Sequence, residues 1–255
     1  MTLKLTLGCA RLLAPGLVML GAPAFAQASF SASSEYSSGS YGETTDTTLL
    51  YTAASAGYDA AGWSLEATLP WVQLEGPATF LGPDVPLGRG VTTRGPNDEV
   101  SGFADLGVSV ARTIDLSADG ATRLDLTGRV LLPTGDEEKG LSTGDTRYSM
   151  GLDLSQDVGD WTLFVGGGRR FNGGAYEDAW FGSTGLAWTG ASGLSVGAAF
   201  DFSEASTVGV ESASEISAWV SLPTGKTSRF QIYGVAGLSE GSPDQAFGAR
   251  LVFSG

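Results

Sequence analysis

Trp63-Ser64-Leu65-Glu66-Ala67-Thr68-Leu69-Pro70-Trp71 alternates apolar with mostly polar residues. Successive side chains of a strand point to opposite faces. Trp63, Leu65, Ala67, Leu69 and Trp71 therefore share one face, and Ser64, Glu66 and Thr68 the other. Tryptophans stand at both ends of the apolar row. At about 3.3 Å rise per residue and a tilt near 40°, the eight steps between them climb roughly 20 Å. That is close to the height of an outer-membrane apolar band, whose two edges carry aromatic girdles. A soluble sandwich core has no reason to place its largest aromatics at strand ends with aliphatics between.

The same pattern recurs outward from this stretch. Leu124, Leu126, Val130 and Leu132 oppose Arg123, Asp125, Thr127 and Arg129. Tyr148, Met150, Leu152 and Leu154 oppose Arg147, Ser149, Asp153 and Ser155. Val196, Ala198, Phe200 and Phe202 oppose Gly197 and Asp201, and Phe247, Ala249, Leu251 and Phe253 oppose Gly248 and Arg250. Trp180 and Trp188 share a face, and Trp161 and Phe171 bracket another segment. With Trp63 and Trp71 these form the expected membrane girdle. Twelve strand-like segments are predicted, near 28–37, 46–58, 61–74, 99–114, 122–133, 145–157, 160–171, 177–189, 193–203, 213–222, 228–239 and 245–253. The first two alternate poorly.

The connectors also alternate. Asp59–Gly62, Ser117–Gly120, Gln156–Asp160, Thr189–Gly193 and Thr224–Thr227 are short and rich in turn residues. Those near 38–45, 75–98, 134–144, 172–176, 204–212 and 240–244 are mostly longer. Short turns on one side and long loops on the other are the threading of an outer-membrane barrel, with the turns periplasmic. Closure removes the exposed edges that so many strands would otherwise present. The expected fold is all-β, a closed antiparallel transmembrane β-barrel of about twelve strands over residues 27–255.

Residues 1–26 read as a cleaved signal peptide. Lys4 and Arg11 precede a mostly apolar run, and Ala24-Phe25-Ala26 supplies the small-x-small cleavage pattern. A buried helix and a lipoprotein site at Cys9 are the alternatives; most of the apolar run follows Cys9, which argues against the latter. Cleavage after Ala26 removes the only cysteine and with it any disulfide. The chain is acidic, with 14 Lys+Arg against 28 Asp+Glu. Binding of nucleic acid needs clustered cations, so it is not expected. Charged residues are only 16% of the chain, fewer than a water-soluble surface usually carries.

Histidine is absent from the sequence. That removes the usual general base of serine and cysteine nucleophiles and the commonest transition-metal ligand. No carboxylate spacing supports acid–base chemistry, so an enzyme is not expected, nor is a cofactor or metal. Asp136, Glu137 and Glu138 form an acidic loop that is either simply solvated or bridged to lipopolysaccharide through Ca²⁺. Gly166-Gly167-Gly168 lies within a strand-like segment and reads as lumen space or relief of curvature.

Charges near a bilayer midplane cost about 2–4 kcal/mol for Arg or Lys, so those of the polar rows belong inside the barrel. The expected lumen residues are Glu66, Asp105, Asp125, Arg129, Arg147, Asp153, Arg170, Asp201, Glu215 and Arg250. Twelve strands give a backbone radius of roughly 12 Å. The favoured expectation is a narrow aqueous or amphiphilic path for small molecules. One alternative is a structural or adhesive barrel, sealed by opposed charges; another is a soluble periplasmic β protein. In the long 75–98 connector, Phe80, Leu81, Val85 and Leu87 are a candidate gate at the barrel mouth.

Leu132-Pro133-Thr134-Gly135-Asp136, Gly140-Leu141-Ser142-Thr143-Gly144, Tyr148, Gly151 and Val158-Gly159-Asp160-Trp161 together resemble the bacterial outer-membrane family named for the MetA-pathway of phenol degradation, also called simply transporter. The likeness covers about a third of the chain. It implies an outer-membrane location and uptake of aromatic or other hydrophobic compounds, and supplies no catalytic residues. The expected partners are outer-membrane lipid and lipopolysaccharide, a small-molecule solute and the barrel assembly machinery. The sequence ends Phe253-Ser254-Gly255, two residues past the terminal aromatic that many such barrels carry.

Overall fold

The computed structural model describes residues 27–41, 43–78, 98–174, 176–207 and 210–255. The expected export signal and the gate residues Phe80, Leu81, Val85 and Leu87 lie outside them. Thirteen strands run in chain order: β1 (Gln27–Gly39), β2 (Thr47–Ala60), β3 (Trp63–Glu75), β4 (Glu99–Phe103), β5 (Leu106–Asp115), β6 (Thr122–Leu132), β7 (Arg147–Val158), β8 (Trp161–Phe171), β9 (Ala179–Thr189), β10 (Ser195–Ser203), β11 (Ala213–Pro223), β12 (Ser228–Gly237) and β13 (Gln245–Ser254). Pairing is antiparallel between chain neighbours throughout, except that β4 and β5 both pair with β3 and not with each other; β13 pairs with β1, which closes the sheet.

β4 and β5 both lie along β3, on Trp71–Glu75 and Trp63–Thr68 respectively. They are two halves of one stave, so the barrel has twelve staves. The continuous segment expected over 99–114 is thus corrected. Ala104 and Asp105 are both buried and follow one another between outward Phe103 and Leu106. That extra residue breaks the ladder, as a bulge does. It frees Asp105 to accept a hydrogen bond from the Gly135 amide at 3.1 Å.

Exposed and buried positions alternate along the strands. Leu65, Leu126, Leu152, Val165, Leu186, Phe200, Ile216 and Phe247 are exposed. Their strand neighbours Glu66, Asp125, Asp153, Gly166, Gly185, Asp201, Glu215 and Gly248 point inward. The first two segments also alternate, with Ser29, Ser33 and Ser37 of β1 buried and Phe30 and Tyr36 exposed. Their pattern is faint because both rows hold small polar residues.

The hairpins separate into two ends. Ala61 and Gly62 make the tightest one, with φ of 51° and 78°. Positive φ at both central positions is the type I′ geometry that matches strand twist. The 116–121, 159–160, 190–194 and 224–227 connectors share that end of the barrel. At the other end the chain leaves β1, β3, β6, β8, β10 and β12 and returns into β2, β4, β7, β9, β11 and β13.

Candidate functional site

The barrel interior gathers the chemistry-bearing residues. All ten charged residues expected there belong to inward rows or to the inward bulge. Arg147 meets Asp105 at 3.3 Å, with side chains only 4% and 2% exposed. Arg250 of β13 crosses the small residues of β1 and β2 to reach Glu66 of β3 at 3.6 Å, and donates to Ser31 at 3.0 Å on the way. Arg129 lies within electrostatic reach of the same glutamate. Thr113 donates to Asp125 at 2.5 Å. Arg170 donates to Ser203 at 2.7 Å and lies 4.8 Å above the Phe181 ring. Ser217 donates to Asp201 at 3.3 Å. Asp153 lies against Gly166, where a side chain would collide with it.

Other inward charges stand outside the expected lumen set, although Arg123 was placed on a polar row. Arg123 pairs with Asp157 at 3.3 Å near the short-turn end. Arg229 donates to the Gly193 carbonyl at 2.9 Å at that same end. Glu35 accepts from the Tyr233 hydroxyl at 2.6 Å. Alternation was the missing signal for Glu35, since β1 is polar on both faces.

The interior is not lined by polar and small residues alone, which corrects a strict division of apolar outside from polar inside. Phe164, Trp219, Tyr233 and Val235 form an inward cluster with Ala187, Ala199 and Ala246. The rings of Phe164 and Trp219 lie 6.3 Å apart. Each aromatic leans on a glycine of the next strand: Phe181 on Gly168, Phe164 on Gly185, Trp219 on Gly197 and Tyr233 on Gly248. A Cβ at any of the four would strike the ring. The Gly166–Gly168 run therefore makes room for particular side chains, Asp153 and Phe181, rather than for open lumen.

A second apolar cluster lies at the long-loop end. It joins Leu49, Tyr51, Val72 and Leu74 of β2 and β3 to Tyr41, Ala78, Ala104 and Leu141. Tyr41 donates to Ser37 at 3.1 Å, and the Ala78 amide donates to Thr47 at 3.1 Å. Burial pushes the Tyr41 phenol above the usual tyrosine range, an effect that Glu215, Glu35 and Asp244 add to. Leu141 belongs to the stretch that resembles a transporter family; its side chain packs on Gly102 and Ala104. In the same loop Asp136 meets Lys139 at 3.6 Å in the open.

The six expected girdle residues all sit on outward rows. Trp63, Trp161, Phe171 and Trp180 are exposed, and Trp71 and Trp188 are half-buried. Arginines stack on them at both ends: Arg112 lies 5.3 Å over Trp63, and Arg169 lies 5.4 Å over Trp180 and 5.5 Å over Phe171.

With the closed ring and its inward side chains described, solved structures give the match. The chain aligns with an outer membrane channel from Pseudomonas putida F1 at a TM-score of 0.67 and 13% identity, over 92% of this chain and 97% of that one. It aligns with the beta domain of the Bordetella autotransporter Brka at a TM-score of 0.50 and 15% identity, over 89% of this chain and 98% of the other. At such identities the likeness is one of fold. No protein-family model and no curated protein matches the chain. The resemblance of residues 132–161 to the phenol-degradation family thus rests on those residues alone.

Proposed function

We propose that this protein is an outer-membrane channel through which small molecules cross passively. The observation that carries the reading is the division of the ring itself. Aliphatic and aromatic side chains face outward on every stave, while the charged rows face inward. An exposed apolar surface all around a closed barrel needs lipid against it. The aromatic and arginine side chains at both ends suit its two interfaces, with the short turns periplasmic. The interior mixes aromatic rings with charges, which suits solutes with both apolar and polar parts. The aromatic or hydrophobic compounds implied by the family resemblance agree with that. The expected route runs past Arg129, Arg147 and Glu66, and outer-membrane lipid and lipopolysaccharide meet the outward band.

Refolded protein in planar bilayers tests this. Discrete conductance steps are expected, together with swelling of liposomes by small solutes. Absence of both defeats the reading. Replacing Arg129 and Arg147 together should shift the reversal potential; an unchanged value removes them from the route. One specific observation favours a second reading, a structural barrel with a sealed interior: the buried Asp105–Arg147 pair beneath the Tyr41–Leu141 cluster. That reading predicts intact insertion with neither conductance nor swelling.

A further inference from the structure

Asp201 and Glu215 stand directly opposite one another in the β10–β11 ladder, both pointing inward. Cross-strand neighbours have Cβ atoms about 4.5–5.5 Å apart, and like charges so placed repel. Their exposures are 7% and 2%. Glu35 lies within electrostatic reach of Glu215, and so does Tyr41. Elsewhere in the interior Glu66, Asp105 and Asp157 each have an arginine. Among the described residues no Arg or Lys forms an ion pair with Glu35, Asp201 or Glu215. Among the described residues, Asp201 and Glu35 accept only from the hydroxyls of Ser217 and Tyr233. Oε1 of Glu215 is buried with no hydrogen-bond partner.

We propose that Glu35, Asp201 and Glu215, beside Tyr41, Trp219 and Tyr233, form a binding site for an organic cation, an ammonium group attached to an apolar body. A buried carboxylate without a partner is costly, and a cation from outside offsets that cost. A metal ion fits less well, because the described carboxylates nowhere form a group able to hold one. The aromatic rings specify the rest of the ligand. Trp219 follows Glu215 and Ser217 along the inward row of β11, and Tyr233 stands opposite Trp219. Aromatic faces attract cations and accept an apolar body. Ala199, Ala213, Ser217 and Gly237 keep the surrounding wall small. The site deepens the channel reading, on which it rests for the route of the solute; binding itself is measurable without flux.

The test is calorimetric titration of the refolded full chain in detergent with benzyltrimethylammonium, and with its uncharged carbon isostere. Saturable binding of the cation and none of the isostere is expected. Glu215→Gln and Asp201→Asn should each weaken binding by at least about tenfold, and Trp219→Leu several-fold. Glu215→Asp keeps the charge and should retain binding. Heat-modifiable gel migration checks that each variant folds, and the comparison of cation with isostere on the unaltered chain decides if one does not. No binding, equal binding of the isostere, or equal affinity in folded carboxylate variants overturns the proposal. Conductance without cation binding overturns it and leaves the channel reading standing. Binding without conductance supports the site and removes the channel reading.

Discussion

Two parts of the interior treat their carboxylates in opposite ways. On the β3–β7 wall, Glu66 and Asp105 lie beside arginines, one of which reaches over from β13. On β10 and β11, two carboxylates lie beside each other, on the long-loop side of a patch of aromatic rings. The first arrangement locks the wall by mutual neutralisation. The second leaves two buried acids side by side with no arginine against them among the described residues. Fold requirements alone explain the first; the second is where the proposed cation would sit.

The largest effect expected from breaking this contrast is at Arg147. Arg147→Met strands the buried Asp105 carboxylate and should cost about 3–5 kcal/mol, read from urea unfolding in lipid vesicles. The double variant with Asp105→Asn should recover part of that. If the single variant loses less than 1 kcal/mol by roughly the same assay, the pair does not hold the wall. The outer surface should not share the asymmetry. Leu152→Arg on β7 and Val165→Arg on β8 should each cost about 2–4 kcal/mol in vesicles; a difference between them beyond that range means the two sides meet different surroundings.

A smaller effect tests the aromatic side. Gly197→Val drives methyl groups into the Trp219 ring and should cost about 1–3 kcal/mol, with altered near-ultraviolet circular dichroism. The smallest effect has the opposite sign. Glu215→Gln relieves the repulsion with Asp201 and should raise stability by about 0.2–1 kcal/mol in the absence of ligand. A clear loss of stability instead would show that the charge on Glu215 supports the fold.

Much of this architecture was legible. The alternation of Trp63 to Trp71 marks a strand with two unlike faces, and connector lengths separate the two ends. The ten charges fall inward because period-two patterning links each to an apolar neighbour. The break at Ala104–Asp105 was not legible: a continuous strand was expected over 99–114, and the extra residue shows only once Phe103 and Leu106, three apart, are both seen to face outward. The inward aromatics were not legible. Trp219 looks outward-facing by chemistry, and only its strand neighbours Ala218 and Val220 argue otherwise. Its partner Gly197 is found by register, which depends on where each hairpin turns. Glu35 was hidden among serines that mark neither face.

The first and last strands meet in one ladder, and Arg250 touches Ser31 across 219 positions of sequence. The other staves join only to the stave before or after them. Sealing the ring is therefore the most non-local step in folding, with the largest loop entropy to overcome. Until it occurs, β1 and β13 both offer open backbone that lipid cannot satisfy. A chain cut short before Gln245 would lose one strand and yet leave two raw edges, on β1 and β12. The ring is closed only when β13, Gln245–Ser254, meets β1.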